Sequence, residues 1–115
     1  MTARPAAGVV LCRLDEIADP GAKGFHFRVG EAEFAGFVVR RDGQVAGYVD
    51  SCPHAGWPLA MNPDRYLTRD GALILCSGHG ALFRPADGHC IAGPCAGGAL
   101  QPWPVEAVDG TVVTA

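Results

Sequence analysis

Four potential metal ligands, arranged in two short motifs, constrain this sequence more than any other feature. One residue separates Cys52 from His54, two separate Cys76 from His79, and 21 residues lie between His54 and Cys76. Each motif supplies one thiolate and one imidazole. Two thiolates and two imidazoles can hold either a zinc ion or a [2Fe–2S] cluster. The chain must therefore fold so that two separate loops meet around a metal.

The spacing of these ligands distinguishes the two kinds of centre. Structural zinc sites favour pairs of cysteines and pairs of histidines, each pair separated by a few residues. Here each motif mixes one cysteine with one histidine, and in a cluster Cys52 and Cys76 would bind one iron while the histidines bind the other. Both motifs also hold residues suited to tight turns: Pro53, Gly56, Pro58, Gly78 and Gly80. The spacing favours the cluster and leaves zinc as the alternative.

Several segments resemble the Rieske [2Fe–2S] family, and look closest to its small soluble ferredoxins. The matching positions are residues 52–56, 76–83 and 93–95, with Leu100 and Val105. The resemblance extends over roughly residues 9–113. It implies one [2Fe–2S] cluster per chain, with Cys52, His54, Cys76 and His79 as its ligands.

Two features depart from the family pattern. The gap between His54 and Cys76 is a few residues longer than is usual in the ferredoxins, which predicts an altered loop beside the cluster. Cys95 stands in the Gly-Pro loop, residues 92–98, where the family most often carries alanine. Cys90 and Cys95 either form a disulfide or redox-sensitive pair or are two small apolar residues in a tight loop, and the second interpretation is favoured.

The resemblance also implies where the reduction potential lies. High-potential members carry serine and tyrosine at the positions of Ala81 and Phe83, and a disulfide at those of Trp57 and Ser77. Neither the Ala81 nor the Phe83 side chain can donate a hydrogen bond to a cluster sulfur, and such bonds raise the potential. We therefore predict a potential in the lower part of the Rieske range, which runs from about −150 to +300 mV.

The turn signals of the chain predict an all-β fold. The sequence has 16 glycines and nine prolines, and alternating apolar runs are separated by four Asp-Gly pairs, which favour type I′ hairpins. These pairs are Asp42-Gly43, Asp70-Gly71, Asp87-Gly88 and Asp109-Gly110. We predict an antiparallel β sandwich in a single domain over residues 1–115. The resemblance implies that loops at about residues 50–60 and 75–84, with the Gly-Pro loop, form a cluster-binding tip.

Charge and cysteine content restrict the partners and the location of the protein. The mild net charge of −3 gives no case for nucleic-acid binding, which would need a basic patch. Five cysteines with unpaired spacing do not resemble a secreted disulfide framework. The first residues lack the pattern of a signal peptide, and no apolar run approaches the roughly 18 residues of a membrane span. We expect a cytoplasmic protein that contacts neither membrane nor nucleic acid.

The expected function is one-electron transfer from a reductase to an oxygenase or a similar enzyme. The sequence has no G-x-G-x-x-G motif after a strand for nicotinamide or flavin binding, and no room for a mononuclear iron domain. We therefore expect no catalysis by this chain itself. The alternatives are a small Rieske subunit of a larger reductase similar to nitrite reductase, a redox sensor, and a zinc-bound interaction module.

Overall fold

Nine strands lie within residues 7–29, 31–51, 66–76, 80–93 and 98–115, the part of the chain that this computed structural model describes. They are β1 (Val10–Arg13), β2 (Gly21–Val29), β3 (Ala32–Arg41), β4 (Gln44–Val49), β5 (Ile74–Leu75), β6 (Leu82–Phe83), β7 (Cys90–Ala92), β8 (Val105–Val108) and β9 (Thr111–Thr114). One turn of 3₁₀ helix, Leu14–Glu16, follows β1. Within the same described ranges, no helix is long and apolar enough to cross a membrane.

The strands form three antiparallel sheets of three strands each. The first sheet has the order β1-β9-β8, the middle sheet β2-β3-β4 and the third sheet β5-β6-β7. Strand neighbours along the chain pair with each other throughout the middle and third sheets, whereas β1 pairs with β9 and so joins the two ends of the described chain. The predicted all-β antiparallel fold is confirmed.

Strand β3 is buried on both of its faces. Successive side chains of a strand point to opposite faces of the sheet. Phe34 and Val38 accordingly face the first sheet, while Phe37 and Val39 face the third, and each of the four is at most 2% exposed. The middle sheet is therefore a shared layer with one apolar core on either side.

The core between the first and middle sheets is built around Trp103. The centroid of its ring lies 4.9 Å from that of Phe34, 6.1 Å from that of Phe27 and 6.2 Å from that of Phe25. A Cβ atom at Gly36 would lie 2.5 Å from the indole, so only glycine lets β3 pass this close to the ring. This core fixes β3 and β4, the strands that lead to the first ligand motif.

The core between the middle and third sheets reaches the predicted metal centre. The Phe37 ring stacks on Tyr66, with centroids 4.2 Å apart and planes 6° from parallel, and also contacts Tyr48 at 5.8 Å. Cys76 and Phe83 belong to the same core and are fully buried. The predicted cysteine ligand is thus part of the packed interior.

Two of the four Asp-Gly pairs form the predicted type I′ hairpins. Asp42 and Gly43 have φ values of 52° and 77° and join β3 to β4, and Asp109 and Gly110, at 49° and 75°, join β8 to β9. At the other two pairs only Gly71 and Gly88 have positive φ. The type I′ prediction is therefore wrong for these two, where the aspartate caps its own turn instead.

Candidate metal centre

Cys76 is the predicted ligand that lies within the described residues. It directly follows β5 and its relative exposure is 0%. Cys52, His54 and His79 lie outside the described residues, so the four-residue ligand set stays a prediction.

A closed turn begins at Cys76. The Cys76 N–H donates to the Ala81 carbonyl (2.9 Å), and the Gly80 N–H donates to the Cys76 carbonyl (2.8 Å). These bonds continue the ladder between β5 and β6, in which Leu75 pairs with Leu82. Gly80 has a φ of 72°, a backbone conformation that glycine adopts without strain, and it is exposed. The two bonds therefore tie Cys76 to Gly80 and Ala81, and the chain is exposed at Gly80, the residue that follows His79 in the sequence.

The start of the Gly-Pro loop packs against this turn. Gly93 has a φ of 95°, and a Cβ atom there would lie 2.7 Å from the Cα of Ala81. Nearby, the buried Cys90 thiol donates to the Ala92 carbonyl at 3.2 Å. Cys95 lies outside the described residues, so a pairing of Cys90 with Cys95 stays untested. The structure therefore places Gly93, the first residue of the family segment 93–95, against Ala81, which follows the second motif.

The chain approaches the first motif through Asp50. Its N–H donates to the Ala35 carbonyl of β3 (2.9 Å), and its carboxylate accepts a hydrogen bond from the Tyr66 hydroxyl (2.8 Å). Tyr66 is 6% exposed and is the first residue described after the long connection. The altered loop predicted between His54 and Cys76 falls mostly outside the described residues. Sequence reasoning missed the Tyr66–Asp50 bond because no motif relates two residues on different segments.

The turn between β6 and β7 is closed by the side chain of Asp87. Its carboxylate accepts hydrogen bonds from the His89 N–H (3.0 Å) and from the Arg84 guanidinium (Nε at 3.1 Å). The His89 bond, followed by the Arg84 bond, lowers the pKa of Asp87 below its ordinary value of 3.8. Next to it, burial and then the charge of Asp87 raise the pKa of Tyr48 to about 12, so its hydroxyl remains a donor to the Pro85 carbonyl (2.6 Å).

Replacing Asp87 with asparagine should make the protein less stable at neutral pH. The wild-type carboxyl has a lower pKa when folded than when unfolded, so its contribution is present above the ordinary pKa of 3.8 and is lost as the pH falls through the folded value. Thermal unfolding of both proteins should give midpoints that differ at neutral pH and converge in acid. Asp109→Asn is the control for removing one surface charge, because asparagine also adopts the φ of 49° found there. A gap between wild type and Asp87→Asn that is constant with pH would contradict the prediction.

Comparison with known proteins identifies the family. A family model of the Rieske [2Fe-2S] domain matches residues 8–106. The chain belongs to the Rieske [2Fe–2S] domain family. The resemblance seen in the sequence is confirmed, and the match spans β1 to β7 and the first two residues of β8. Among curated proteins, no relative matches the chain.

Solved structures similar to this Rieske domain come from both ferredoxins and oxygenases. A chain of the complex of reduced oxygenase and oxidized ferredoxin in carbazole 1,9a-dioxygenase is 27% identical, with a TM-score of 0.71 over 93% of this chain and 100% of that one. The Sphingomonas yanoikuyae B1 ferredoxin is also 27% identical, with a TM-score of 0.68, covering 93% of this chain and 96% of the ferredoxin. The terminal oxygenase of carbazole 1,9a-dioxygenase from Nocardioides aromaticivorans IC177 shares the fold at 21% identity and a TM-score of 0.74, over 94% of this chain but 29% of the oxygenase.

The described part of the centre fits the cofactor of this family. Rieske domains bind a [2Fe–2S] cluster, which confirms the predicted cofactor. The Cys76 sulfur is a soft donor of the kind that iron–sulfur clusters require, and the backbone of its turn is already hydrogen-bonded. Ile74, Ala81 and Phe83, all fully buried, belong to the same apolar core as this sulfur. The site therefore combines a buried sulfur donor with a turn that reaches the surface at Gly80.

Proposed function

We propose that this protein is a one-electron carrier that accepts electrons from a reductase and passes them to an oxygenase. The observation that carries this proposal is that the chain matches two carrier-sized chains over nearly their full length. This chain covers 96–100% of two carrier-sized chains to which it is 27% identical, but 29% of a terminal oxygenase of the same fold. One of those two chains comes from a complex of an oxygenase with its ferredoxin. The chain therefore aligns with the full length of these carrier-sized chains.

The ligand set that we propose is Cys52, His54, Cys76 and His79. When bound, a cluster of this type supplies a one-electron redox centre, with a potential raised by neutral imidazoles in place of two thiolates. The buried position of Cys76 supports this set, because a thiolate ligand shielded from water resists exchange. The exposed Gly80, next to His79 in the chain, supports a centre whose histidine side lies near the docking surface for a partner.

We also propose that the potential lies in the lower part of the Rieske range. Ala81 and Phe83 are fully buried beside the second ligand turn and carry no hydroxyl group. The two positions from which high-potential members donate hydrogen bonds are thus apolar here. Donors to a cluster sulfur stabilise the reduced, more negative state, so their replacement favours the oxidised state.

Two further proposals concern the protein as a whole. We infer a cytoplasmic location, supported by the spacing of the five cysteines, which does not resemble a secreted disulfide framework. We also propose that residues 1–115 form a single domain without catalysis of its own, which agrees with a family match over residues 8–106.

Spectroscopy and electrochemistry of the purified protein test the carrier function. We expect a coloured protein with two irons per chain, a reduced-state electron paramagnetic resonance spectrum of a histidine-ligated cluster, and a midpoint between about −150 and 0 mV at neutral pH. Mixed anaerobically with an oxygenase component, the reduced protein should be reoxidised while the oxygenase is reduced. A colourless protein with one zinc per chain would contradict the proposal, and a midpoint well above 0 mV would contradict its low-potential part.

A further inference from the structure

Tyr66 is bonded to both of the segments that lead to the proposed cysteine ligands. Its hydroxyl donates to a carboxylate oxygen of Asp50 (2.8 Å), two residues before Cys52. Its carbonyl oxygen accepts a hydrogen bond from the N–H of Leu75 (2.8 Å), the residue before Cys76. A single residue therefore connects two segments that are separated by the whole connection between the motifs.

The position of the Tyr66 hydroxyl is fixed by its surroundings. The ring is 6% exposed and stacks on Phe37 with 4.2 Å between centroids and 6° between planes. A Cβ atom added at Gly24 would lie 2.7 Å from the Tyr66 hydroxyl oxygen, so glycine is needed there for the ring to keep its place. The tyrosine hydroxyl thus has little freedom to reach an acceptor other than the one it binds.

Asp50 is held at its main chain as well as at its side chain. Its N–H donates to the Ala35 carbonyl of β3 (2.9 Å), which places it on the rigid middle sheet. A bond from a hydroxyl group to a carboxylate is charge-assisted and stronger than one between neutral groups. The pair therefore links the residue after β4 to Tyr66, whose carbonyl is bonded to Leu75 of β5.

We propose that Tyr66 is a positioning residue that sets the spacing between the segments carrying Cys52 and Cys76. The inference rests on the proposed ligand set, because Tyr66 can position ligand segments only if Cys52 and Cys76 bind the cluster. Two ligand segments on separate sheets need a cross-connection if a cluster is to be held in one geometry. Without the hydroxyl bond, the first segment would keep its anchor on β3 but lose the side-chain link between Asp50 and Tyr66.

Tyr48 provides a matched control within the same core. It is 3% exposed, contacts the same Phe37 ring at 5.8 Å, and donates its hydroxyl hydrogen bond to the Pro85 carbonyl (2.6 Å). That bond ends at Pro85, in the turn between β6 and β7, and not at Asp50 or at the main chain of Leu75. Tyr48→Phe therefore measures the cost of losing a buried tyrosine hydroxyl in this core, without the connection between ligand segments.

The experiment compares Tyr66→Phe and Tyr48→Phe as cluster-loaded proteins. We expect Tyr66→Phe to lose its visible absorption to an iron chelator about tenfold faster than wild type, as removal of a charge-assisted hydrogen bond predicts. Its reduced-state electron paramagnetic resonance spectrum should be shifted or broadened, whereas that of Tyr48→Phe should match wild type. The wild-type spectrum alone reports on the proposed function, and the difference between the two variants reports on Tyr66.

Substitutions at Asp50 and Gly24 keep the proposal testable if Tyr66→Phe loads poorly. Asp50→Ala should release the cluster about as fast as we expect for Tyr66→Phe, while Asp50→Asn, which retains an oxygen acceptor, should lie between Asp50→Ala and wild type. Gly24→Ala should accelerate release in wild type but add little to Tyr66→Phe, because the group it crowds is then absent. The inference is overturned if Tyr66→Phe and Tyr48→Phe have the same spectrum and release rate, or if Asp50→Ala releases its cluster no faster than wild type.

Discussion

Replacing Cys76 with serine is expected to abolish cluster loading while leaving the β fold largely intact. Cys76 is fully buried at the base of the turn that its own N–H and carbonyl close with Ala81 and Gly80. Serine preserves the size of the side chain and these backbone bonds, but its hydroxyl is a harder and much less acidic ligand than a thiol. The purified variant should therefore be colourless, with iron near zero per chain, and circular dichroism should still report β structure.

Cys12→Ser is the matched control for this loss. Cys12 is also a buried cysteine, 7% exposed, but it belongs to the core between the first and middle sheets. Burial raises the pKa of the Cys12 thiol, so it is held in the neutral form, unlike a metal ligand. We expect Cys12→Ser to keep its iron and lose some thermal stability. Equal iron contents in the Cys76→Ser and Cys12→Ser proteins would remove Cys76 from the ligand set.

Hairpins could be predicted from the sequence where the turn residues themselves favour the required backbone conformation. Asp42-Gly43 and Asp109-Gly110 each fill a two-residue loop whose type I′ conformation requires positive φ at both positions. Aspartate tolerates that conformation and glycine adopts it freely, so the turn residues themselves favour these turns. In the first turn, the N–H groups of Asp42 and Gly43 also donate to the Asp19 carboxylate (2.9 and 2.8 Å). The strands on either side then pair in the register that the loop imposes.

The Asp-Gly pair does not predict a type I′ turn where the aspartate side chain binds other groups. The Asp87 carboxylate binds the His89 N–H and the Arg84 guanidinium, and the Asp70 carboxylate binds the Ala72 N–H and the Thr68 hydroxyl. Each aspartate therefore closes a local turn of a different shape. These bonds depend on residues two or three positions away, which a rule based on Asp-Gly alone leaves out.

In the candidate site, too, the residues of local motifs could be predicted from the sequence, whereas a contact between distant residues could not. The spacing of the motifs was enough to nominate Cys76, and the family resemblance pointed to Ala81 and Phe83 as its neighbours. The bond between Tyr66 and Asp50 joins residues 16 positions apart and depends on stacking against Phe37 of another sheet. Such a contact has no periodicity or spacing of its own, so it emerges only once the middle and third sheets are packed together.

The double substitution Ala81→Ser and Phe83→Tyr should raise the midpoint potential markedly. It introduces hydroxyl groups at the two positions from which high-potential Rieske proteins donate hydrogen bonds. Such a bond to a charged acceptor contributes about 1.5–3 kcal/mol, and about 1.4 kcal/mol corresponds to about 59 mV for one electron. Only part of each bond differs between redox states, so we expect the pair to add about 100–200 mV. Protein-film voltammetry of the loaded variant and wild type measures the shift.

Stability shows whether the new hydroxyl groups have found acceptors. Ala81 and Phe83 are both fully buried, and Ala81 lies against Gly93 with no room for a water-filled gap on that side. A hydroxyl buried there without an acceptor would lower the stability by about 1–3 kcal/mol. A raised potential with little loss of thermal stability therefore means that the hydroxyl groups bind the cluster, whereas an unchanged potential with lower stability means that they do not.

Phe37→Tyr tests whether any hydroxyl group added to the same core changes the midpoint potential. Phe37 is also fully buried, and its ring lies between the middle and third sheets, stacked on Tyr66. A hydroxyl there is expected to lower stability and leave the midpoint potential unchanged. If Phe37→Tyr shifts the potential as much as the double substitution does, then general polarity of the core sets the potential. If the double substitution leaves the potential unchanged without a loss of stability, the missing donors at Ala81 and Phe83 do not explain a low value in this protein.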